Sequence, residues 1–296
     1  MKNVLLALAL CVSFSGFAQV LNVASVNQVP IPANPNAKVA GISPNGDYLL
    51  LSTSTNVGLT KFDLKTNESK VLTNARGAGF NAQISSDGAS VIYREDSYTA
   101  NHLRMEQLNT VNVESGTVAN LVAPTRNLQG YAIEGTAVAA INKGKLAAKG
   151  KVSVPVLSIN NRQLMITRNG KTSVFSPNGK NFSYIWPSVS PDGTKALYYV
   201  CGVGAFVCNI DGSNVKSLGI VRAPQWYGND VVIGMNDVDD GEMIISSSIV
   251  ATTLSGQQQV LTDASVVAMY PYASLNGEKI AFSTPAGEAY IININK

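Results

Sequence analysis

Short apolar runs alternate with polar turns along most of the chain. Four turns read Ser-Pro-Asp-Gly or a close variant of it, and an apolar run follows each within a few residues. Proline suits the second position of a type I turn, Asp or Asn tolerates the third, and glycine takes the left-handed conformation that completes a hairpin. The pattern therefore predicts recurring β-hairpins. The turns occupy residues 43–46, 85–88, 190–193 and 274–277, and the runs begin at Tyr48, Val91, Ala196 and Lys279.

The spacing of these turns predicts six repeats. The first two turns lie about 42 residues apart and the last two about twice that distance, so a hidden repeat is expected at residues 223–233. The longer middle interval is interpreted as one further repeat, at residues 130–141, and an insertion, at residues 143–161. The insertion is expected to lie between the second and third strands of its repeat.

A repeat of about 40 residues with four strands is typical of a β-propeller blade, and four to eight blades form a ring. We therefore predict an all-β fold, a six-bladed β-propeller with four-stranded antiparallel blades. The last repeat, residues 270–296, has only three predicted strands. Residues 19–26 are expected to add the fourth strand and close the ring, which removes an exposed sheet edge.

The first 18 residues have the pattern of a secretory signal peptide. Lys2 supplies the positive charge, residues 4–12 the apolar stretch, and residues 16–18 the small-residue cleavage pattern. The apolar stretch is too short to span a membrane. We expect cleavage after about Ala18 and a periplasmic or secreted protein, with residues 19–296 forming a single propeller domain and no transmembrane segment.

Composition narrows the function further. The formal net charge is only +3, and removal of Lys2 with the signal peptide lowers it by one charge. This near-neutrality argues against a dedicated nucleic-acid-binding protein. Charged residues make up only 14% of the chain, as expected for a turn-rich all-β domain. We expect a monomer.

Two cysteines remain in the predicted domain, Cys201 and Cys208. They flank a glycine-containing segment that is a plausible hairpin between second and third strands. A turn centred on Gly204 and Ala205 would place the two cysteines opposite each other. In an oxidising compartment a disulfide is favoured over two buried free thiols. The six-residue separation does not match a zinc site.

One repeat carries a recognisable sequence. Residues 187–199 read PSVSPDGTKALYY and residues 209–218 read NIDGSNVKSL. This repeat resembles the WD40-like propeller repeat of the TolB C-terminal domain family, and related blades occur in the dipeptidyl-peptidase IV and prolyl oligopeptidase propellers. The resemblance covers most of the predicted domain. It implies a periplasmic six-bladed propeller that serves as a protein-binding platform.

Catalytic chemistry has little support in the sequence. There is no Gly-x-Ser-x-Gly nucleophile motif. The single histidine, His102, has no obvious serine or metal-ligand partner and is interpreted as a surface or packing residue. We therefore predict no catalytic residues, no metal and no cofactor.

Two charged clusters remain open to interpretation. Residues 236–242 contain Asp237 and Asp239 but depart from the spacing of a calcium loop, which favours a solvated hairpin over a calcium site. Lys143 and Lys145 begin a basic stretch in the expected insertion. That stretch is either a mobile solvated loop or a partner-binding arm.

Propeller geometry places the Ser-Pro-Asp-Gly turns, which join first and second strands, at one rim. The connections from second to third strands and from the fourth strand to the next blade lie at the opposite face. Aromatic and arginine residues are favoured as binding anchors. On that face they either bind a ligand or merely plug the channel mouth. The candidate binding residues there are Trp186, Tyr270, Arg76, Arg126, Arg222, Lys143, Lys145, Asp237 and Asp239.

Three functions follow from these observations. The first is an exported, non-enzymatic propeller that binds a protein or peptide, possibly associated with the cell envelope. The second is a propeller that binds a carbohydrate or another small ligand, with Trp186 and Tyr270 stacking on it at the channel mouth. The third, a hydrolase or lyase, is disfavoured because acid–base residues do not converge in the sequence.

Overall fold

The computed structural model describes residues 19–135, 137–150 and 152–295. This part of the chain forms antiparallel β-sheets joined by turns and loops, and the predicted signal peptide, residues 1–18, lies outside it. Seven sheets form the blades of a propeller. The all-β propeller predicted from the sequence is therefore confirmed, but the predicted number of six blades is wrong.

Five of the blades have four strands, and blades 3 and 4 have three. Blade 1 comprises β2 (Ala37–Ile42), β3 (Tyr48–Thr53), β4 (Val57–Asp63) and β5 (Ser69–Arg76). Blade 2 comprises β6 (Gln83–Ile84), β7 (Ser90–Tyr98), β8 (Arg104–Asn112) and β9 (Val118–Thr125). Blade 3 comprises β10 (Leu128–Glu134), β11 (Ala137–Asn142) and β12 (Lys145–Lys149), and blade 4 comprises β13 (Val156–Asn160), β14 (Gln163–Arg168) and β15 (Lys171–Val174).

The remaining blades complete the chain. Blade 5 comprises β16 (Tyr184–Val189), β17 (Lys195–Val200), β18 (Gly204–Asn209) and β19 (Lys216–Gly219). Blade 6 comprises β20 (Arg222–Tyr227), β21 (Val231–Asp239), β22 (Ile244–Thr253) and β23 (Gln258–Val260). Blade 7 comprises β24 (Met269–Ala273), β25 (Lys279–Ser283) and β26 (Ala289–Asn295), with β1 (Asn22–Val29) paired to β26.

The hydrophobic core lies between neighbouring blades rather than at one centre. Leu50 of blade 1 packs with Val91 and Tyr93 of blade 2 in one buried cluster. Ile233 of blade 6 packs with Phe282 of blade 7 in another. Each blade therefore buries both faces of its sheet, and this explains why the central strands read as continuous apolar runs instead of alternating ones.

The first serine of each Ser-Pro-Asp-Gly turn is buried and pins the hairpin. In blade 5 the hydroxyl of Ser190 accepts a hydrogen bond from the backbone N–H of Lys195 at 2.9 Å and donates one to Asp192 at 2.5 Å. The donated hydrogen bond holds the pKa of Asp192 at about 2. The same serine-to-backbone hydrogen bond forms at Ser43, Ser85 and Ser274.

The turns also bind to one another across blade boundaries. The backbone N–H of Asn276 in blade 7 donates to the carbonyl of Pro44 in blade 1 at 3.0 Å. Tyr48 of blade 1 donates to the carbonyl of Gly88 in blade 2 at 2.8 Å. We call this side of the propeller, with the turns at residues 43–46, 85–88, 190–193 and 274–277, the turn face. Its turns form a hydrogen-bonded belt.

The blade count was wrong because residues 143–161 are not an insertion. Lys145–Lys149 is the third strand of blade 3, and Val156–Asn160 is the first strand of an additional blade. The long insertion, interpreted from the sequence as either a mobile solvated loop or a partner-binding arm, therefore does not exist. The additional blade has no Ser-Pro-Asp-Gly turn, so counting the motif could not reveal it.

Blade 4 runs in the reverse direction, and strand parity explains why. Blade 3 has an odd number of strands, so its last strand ends at the turn face instead of the loop face. There the carboxylate of Glu134 accepts hydrogen bonds from the N–H groups of Ser153 and Val154. After β13 the carbonyl of Arg162 accepts from the N–H of Tyr184, the first residue of β16. β13 is thus antiparallel to β16, and a second three-stranded blade returns the chain to the side from which blade 5 begins.

The amino-terminal strand joins the last blade, as the sequence predicts. β1 pairs antiparallel with β26 from Asn22 opposite Asn295 to Val29 opposite Ala289, with one irregularity after Val23. Blade 7 in turn packs against blade 1 through contacts of β24 and β25 with β2. The two ends of the described chain therefore share one sheet.

The turn serines give a direct test of how each hairpin is anchored. Ser85→Ala removes a buried hydroxyl that accepts from the N–H of Ser90, and we expect it to lower the free energy of unfolding by about 1–2 kcal/mol. The neighbouring Ser86 is exposed, so Ser86→Ala is the matched control and should change stability by no more than about 0.5 kcal/mol. Urea unfolding followed by circular dichroism measures both. Equal effects of the two substitutions would contradict this role of the serine.

Candidate functional site

The candidate residues lie on the side opposite the turn face. We call this side the loop face; it carries the connections between second and third strands at residues 54–56, 99–103, 143–144, 201–203, 240–243 and 284–288, together with connections between blades. Whereas the turns of the turn face hydrogen-bond one another, the loop face exposes several large side chains. Phe80, Trp186 and Tyr270 are 52%, 39% and 40% exposed.

Trp186 and Tyr270 occupy equivalent positions in the innermost strands of blades 5 and 7. Both have left-handed backbone conformations, with φ of 50° for Trp186 and 53° for Tyr270. The pairing register of each strand shifts at that point, between Ile185 and Ser188 in one case and between Met269 and Tyr272 in the other. Each residue is therefore the left-handed member of a β-bulge, a device that redirects a side chain.

The same bulge recurs at Ala223 in blade 6, where φ is 46°. In all three blades a proline follows the left-handed residue. A positive φ is rare for a residue larger than glycine or asparagine and is tolerated where the surrounding structure enforces it. Strain of this kind clusters at binding and catalytic sites. The bulges hold two aromatic rings at the inner rim of the loop face.

Trp186 belongs to a cluster that joins blades 5 and 6. Its ring meets that of Tyr199 edge to face, with centroids 5.4 Å apart. The side chain of Tyr199 lies close enough to the guanidinium of Arg222 to help raise the pKa of Arg222, after the larger effect of the Asp237 charge. Arg222 Nη1 donates to Asp237 Oδ2 at 2.8 Å and to Asp239 Oδ2 at 3.3 Å. We call these five residues the blade 5–6 site, and four of them were predicted from the sequence.

The two aspartates of this site differ in environment. The side chain of Asp237 is fully buried, and Oδ1 has no hydrogen-bond partner in the described part of the chain. Burial raises the pKa of Asp237, and the charge of Arg222 acts in the opposite direction. Asp239 remains 41% exposed at its side chain. One arginine therefore serves a buried and an exposed carboxylate.

A second polar network lies on the loop face of blade 2. Arg94 pairs with Glu106 at 2.8 Å, and Arg104 pairs with Asp96 at 2.8 Å. The guanidinium of Arg94 also lies over the exposed ring of Phe80, 4.4 Å from its centroid. Sequence reasoning missed this network, although the charged residues at the ends of two long paired strands were a visible signal.

The remaining basic candidates lie in blades 1 to 3, away from the blade 5–6 site. Arg76 ends β5 and Arg126 lies between β9 and β10, both exposed. Lys143 and Gly144 form the tight hairpin turn between β11 and β12, with φ of 55° and 71°. Lys145 follows as the first residue of β12. The backbone N–H of Lys143 donates to the carbonyl of Asn127, the residue after Arg126, at 3.1 Å, so Arg126 and Lys143 lie close together at the boundary of blades 2 and 3. Arg76 lies in blade 1.

The two cysteines do not lie where the sequence analysis placed them. Cys201 and Cys208 are free, Cys201 exposed and Cys208 buried. The turn lies at residues 201–203, with Val200 opposite Gly204, so Cys208 pairs with Ala196 near the other end of the hairpin. The predicted disulfide is therefore wrong. Gly204 is required for the close approach of the Gly219 carbonyl and not for a turn.

The acidic hairpin after β21 is held by its own carboxylate. Asp240 Oδ1 accepts hydrogen bonds from the N–H groups of Glu242 and Met243, both at 2.9 Å. Asp237 and Asp239 face Arg222 instead of a common centre. In the described residues no three His, Cys, Asp or Glu side chains converge on a metal position. His102 sits exposed in the turn after β7, with φ of 58°.

No described helix has the length and apolar character needed to cross a membrane.

Comparisons with known proteins support the fold. No family model and no curated protein sequence matches the chain. Among solved structures, a putative TolB from Agrobacterium tumefaciens aligns with a TM-score of 0.54 at 16% identity, over 88% of this chain and 91% of that one. A chain of the mitotic checkpoint complex aligns with a TM-score of 0.60 at 12% identity, over 96% of this chain and 100% of that one.

An oligogalacturonate lyase from Vibrio parahaemolyticus aligns less well. Its TM-score is 0.47 at 14% identity, over 86% of this chain and 76% of that one. Identities this low establish similarity of fold and nothing about the reaction or partner. The TolB resemblance noted in the sequence is therefore confirmed at the level of a propeller scaffold.

Thiol reactivity tests the placement of the cysteines. We expect iodoacetamide at pH 8 to modify Cys201 within minutes and Cys208 only after unfolding, because burial raises the pKa of Cys208 to about 11 and shields it. Peptide mass spectrometry reports the two sites separately, and Cys201→Ser controls for cross-reaction. A peptide pair linked by a Cys201–Cys208 disulfide in a non-reduced digest would refute the placement.

Proposed function

We propose that this protein is an exported, non-enzymatic propeller that binds a protein or peptide on its loop face. The observation that carries the proposal is the pair of exposed aromatic residues, Trp186 and Tyr270, on left-handed bulges of innermost strands. Tryptophan, tyrosine and arginine are the side chains most enriched at binding hot spots. Trp186 contacts Tyr199, and Tyr199 in turn lies close to Arg222.

The contrast between the two sides supports the loop face. Backbone groups of the turn face are satisfied by neighbouring turns, as between Asn276 and Pro44. The loop face holds exposed rings, among them Phe80 between blades 1 and 2 and Tyr98 of blade 2. Exposed apolar side chains rimmed by polar residues are typical of interaction surfaces.

The scaffold in this proposal is a monomeric ring closed by the amino-terminal strand. Pairing of β1 with β26 covers the edge of β26, which could otherwise pair with another chain, and completes blade 7 as a four-stranded sheet. Export rests on the signal-like pattern of residues 1–18.

A second candidate function is binding of a carbohydrate or other small ligand at the channel mouth. The observation in its favour is that Trp186 and Tyr270 occupy equivalent positions in inner strands, separated by one blade. Exposed rings of this kind provide stacking surfaces for sugars as well as hot spots for proteins. The two candidates differ in the size of the partner.

Capture experiments separate these functions. We expect immobilised protein to retain a specific partner from an envelope extract of the producing cells, and the double substitution Trp186→Ala with Tyr270→Ala to reduce retention at least tenfold, as expected for loss of aromatic hot spots. Leu275→Ala is the control, since Leu275 is an apolar residue that is even more exposed, at 62%, but lies on the turn face. Quantitative mass spectrometry measures retention.

Three further results distinguish the two candidate functions. Lys143→Ser should leave retention unchanged, because Lys143 lies in a separate turn of blade 3. Glycan-array binding that is lost with the aromatic rings, without any retained protein, would favour the small-ligand function. Loss of retention with Leu275→Ala but not with the aromatic substitutions would reject both.

A further inference from the structure

Blades 3 and 4 lack the fourth strand that completes the other blades. In the described part of the chain, β12 and β15 are their outermost strands. Residues 145–148 in β12 are all exposed, whereas residues 204–208 in β18, the third strand of blade 5, are all buried. Blade 7 shows that a distant segment can supply a fourth strand to this ring, because β1 pairs with β26. Blade 3 is therefore one strand short, and its third strand is uncovered.

The apolar layer between blades 3 and 4 is correspondingly small. Among the described residues, its buried cluster contains only Ala139, Ile141 and Val156. In other blades the fourth strand adds a buried aliphatic side chain to the layer shared with the next blade. These side chains are Leu72 in blade 1, Val122 in blade 2 and Leu218 in blade 5. A fourth strand on blade 3 would extend the layer in the same way.

Leu146 shows where such a strand would pack. It lies opposite Ile141 in the register of β11 and β12, so both side chains are on the side of blade 3 that faces blade 4. Leu146 nevertheless remains 37% exposed. Blade 4 lies beside β12, with Thr172 Oγ 3.4 Å from the carbonyl oxygen of Gly144. An aliphatic side chain on an added strand would cover Leu146, and burial of this apolar surface would stabilise the complex.

The backbone of β12 offers the hydrogen-bonding groups that an added strand needs. The two-residue turn at residues 143–144 has positive φ at both positions and places Asn142 opposite Lys145. In a hairpin of this type the closing pair is hydrogen-bonded, and the groups of alternate residues point outward. The N–H and C=O groups of Leu146 and Ala148 therefore point away from β11, along an edge that no described strand covers.

The same part of the chain is strongly basic. Residues 135–191 contain no Asp or Glu, and their positive charge exceeds the net charge of the whole chain, +3, so the rest of the protein is net negative. The carboxylate of Glu134, just before this range, already accepts hydrogen bonds from the N–H groups of Ser153 and Val154. A strand edge in a region of this charge attracts an acidic segment. The eight basic residues of the range are Lys143, Lys145, Lys149, Lys151, Arg162, Arg168, Lys171 and Lys180.

We propose that blade 3 binds an extended acidic segment of a partner protein, which pairs antiparallel with β12 as a fourth strand. Its backbone bonds the outward groups of Leu146 and Ala148, an acidic side chain lies opposite Lys145, and an aliphatic side chain packs on Leu146. Third and fourth strands pair antiparallel in blades 1, 2, 5 and 6. The site lies on the outer rim of the ring, apart from Trp186 and Tyr270, and so goes beyond the proposed function.

Two other occupants fit this edge less well. A second copy of β12, paired antiparallel about Ala147, would place Lys145 opposite Lys149 of the other copy, and like charges in directly opposite positions are destabilising. Residues 1–18, which lie outside the described structure, contain one lysine and no acidic residue. An acidic segment of another protein is therefore the occupant that the charge favours.

Peptide binding tests the proposal. The probe is a short blocked peptide of alternating glutamate and valine with a fluorescent label, and fluorescence anisotropy measures its affinity. One control peptide has lysine in place of glutamate. Two others keep the sequence and charge but are N-methylated at every valine or at every glutamate. We expect saturable binding of the probe, no binding of the lysine peptide, and loss of binding for the N-methylated peptide whose methyl groups face β12, because alternate N–H groups of a strand point to the same side.

Substitutions locate the interaction on β12. Ala148→Pro removes an outward N–H, and proline is tolerated on an edge strand whose N–H faces solvent. We expect it to weaken probe binding at least about tenfold through the lost hydrogen bond and the disturbed edge, with circular dichroism as the check on folding. Lys145→Glu, at an exposed position, should weaken binding at least about fivefold by reversing a cross-strand charge. Lys216→Glu is the matched control, because Lys216 is likewise the exposed first residue of an outermost strand, β19; it should leave the affinity unchanged.

The outcomes are decisive in both directions. Equal binding of the probe and both N-methylated peptides would mean that charge alone attracts the ligand, as for a nucleic acid or another polyanion, and would overturn strand pairing. Probe binding that ignores Ala148→Pro and Lys145→Glu, tighter binding of the lysine peptide, or no binding of any peptide would reject the site. Trp186→Ala with Tyr270→Ala should leave probe binding unchanged, so that failure of this site and failure of the proposed function are separate results.

Discussion

The belt of hydrogen-bonded turns is the interaction on which the rest of the structure depends. Each buried turn serine fixes its own hairpin, as Ser190 does for Lys195, and the turns then join across blades, as Asn276 does with Pro44. A propeller has no central core, so the register between blades must come from such contacts and from the apolar layers between sheets. Because the turn face is held in this way, the conformation of the strands at the loop face can differ from blade to blade.

Differences between blades at the loop face produce the candidate site. The bulges at Trp186 and Tyr270 interrupt the pairing of β16 and β24. The other end of each of these strands leads into a hydrogen-bonded turn of the turn face. Unusual backbone conformations persist only where the surrounding structure determines them. The long β21–β22 hairpin likewise extends beyond its neighbours and brings Asp237 and Asp239 to Arg222. The rigid and the variable halves of each blade therefore have separate roles.

The sequence predicted features that depend on a few neighbouring residues, such as the hairpins. It did not predict features that depend on the whole ring, such as the number of blades. The Ser-Pro-Asp-Gly turns predicted the hairpins and their common face, and the missing fourth strand of the last repeat predicted the pairing of the amino-terminal strand with β26. The number of blades depends on strand parity around the whole ring, and the reversed blade 4 carries no turn motif. The same limit applies to the cysteines, because moving the turn to residues 201–203 separates Cys201 from Cys208.

The candidate site shows a similar division. Trp186, Arg222, Asp237 and Asp239 were each recognisable as residues of the loop face, yet their convergence required the register of two blades. Tyr199 looked like an ordinary apolar strand residue and proved to be the link between Trp186 and Arg222. Arg76, Arg126 and Lys143 were equally good candidates in the sequence, and nothing in the local pattern revealed that they belong to blades 1 to 3 and not to the blade 5–6 site.

Site-specific photocrosslinking in the producing cells tests the central claim most directly, that the loop face and not the turn face carries the proposed binding function. A photoreactive phenylalanine analogue is placed at Trp186 on the loop face and, in a separate variant, at Leu275 on the turn face, two exposed apolar positions. The account predicts a discrete protein adduct from position 186 and none from position 275. An adduct from position 275 alone, or equal adducts from both, would contradict it.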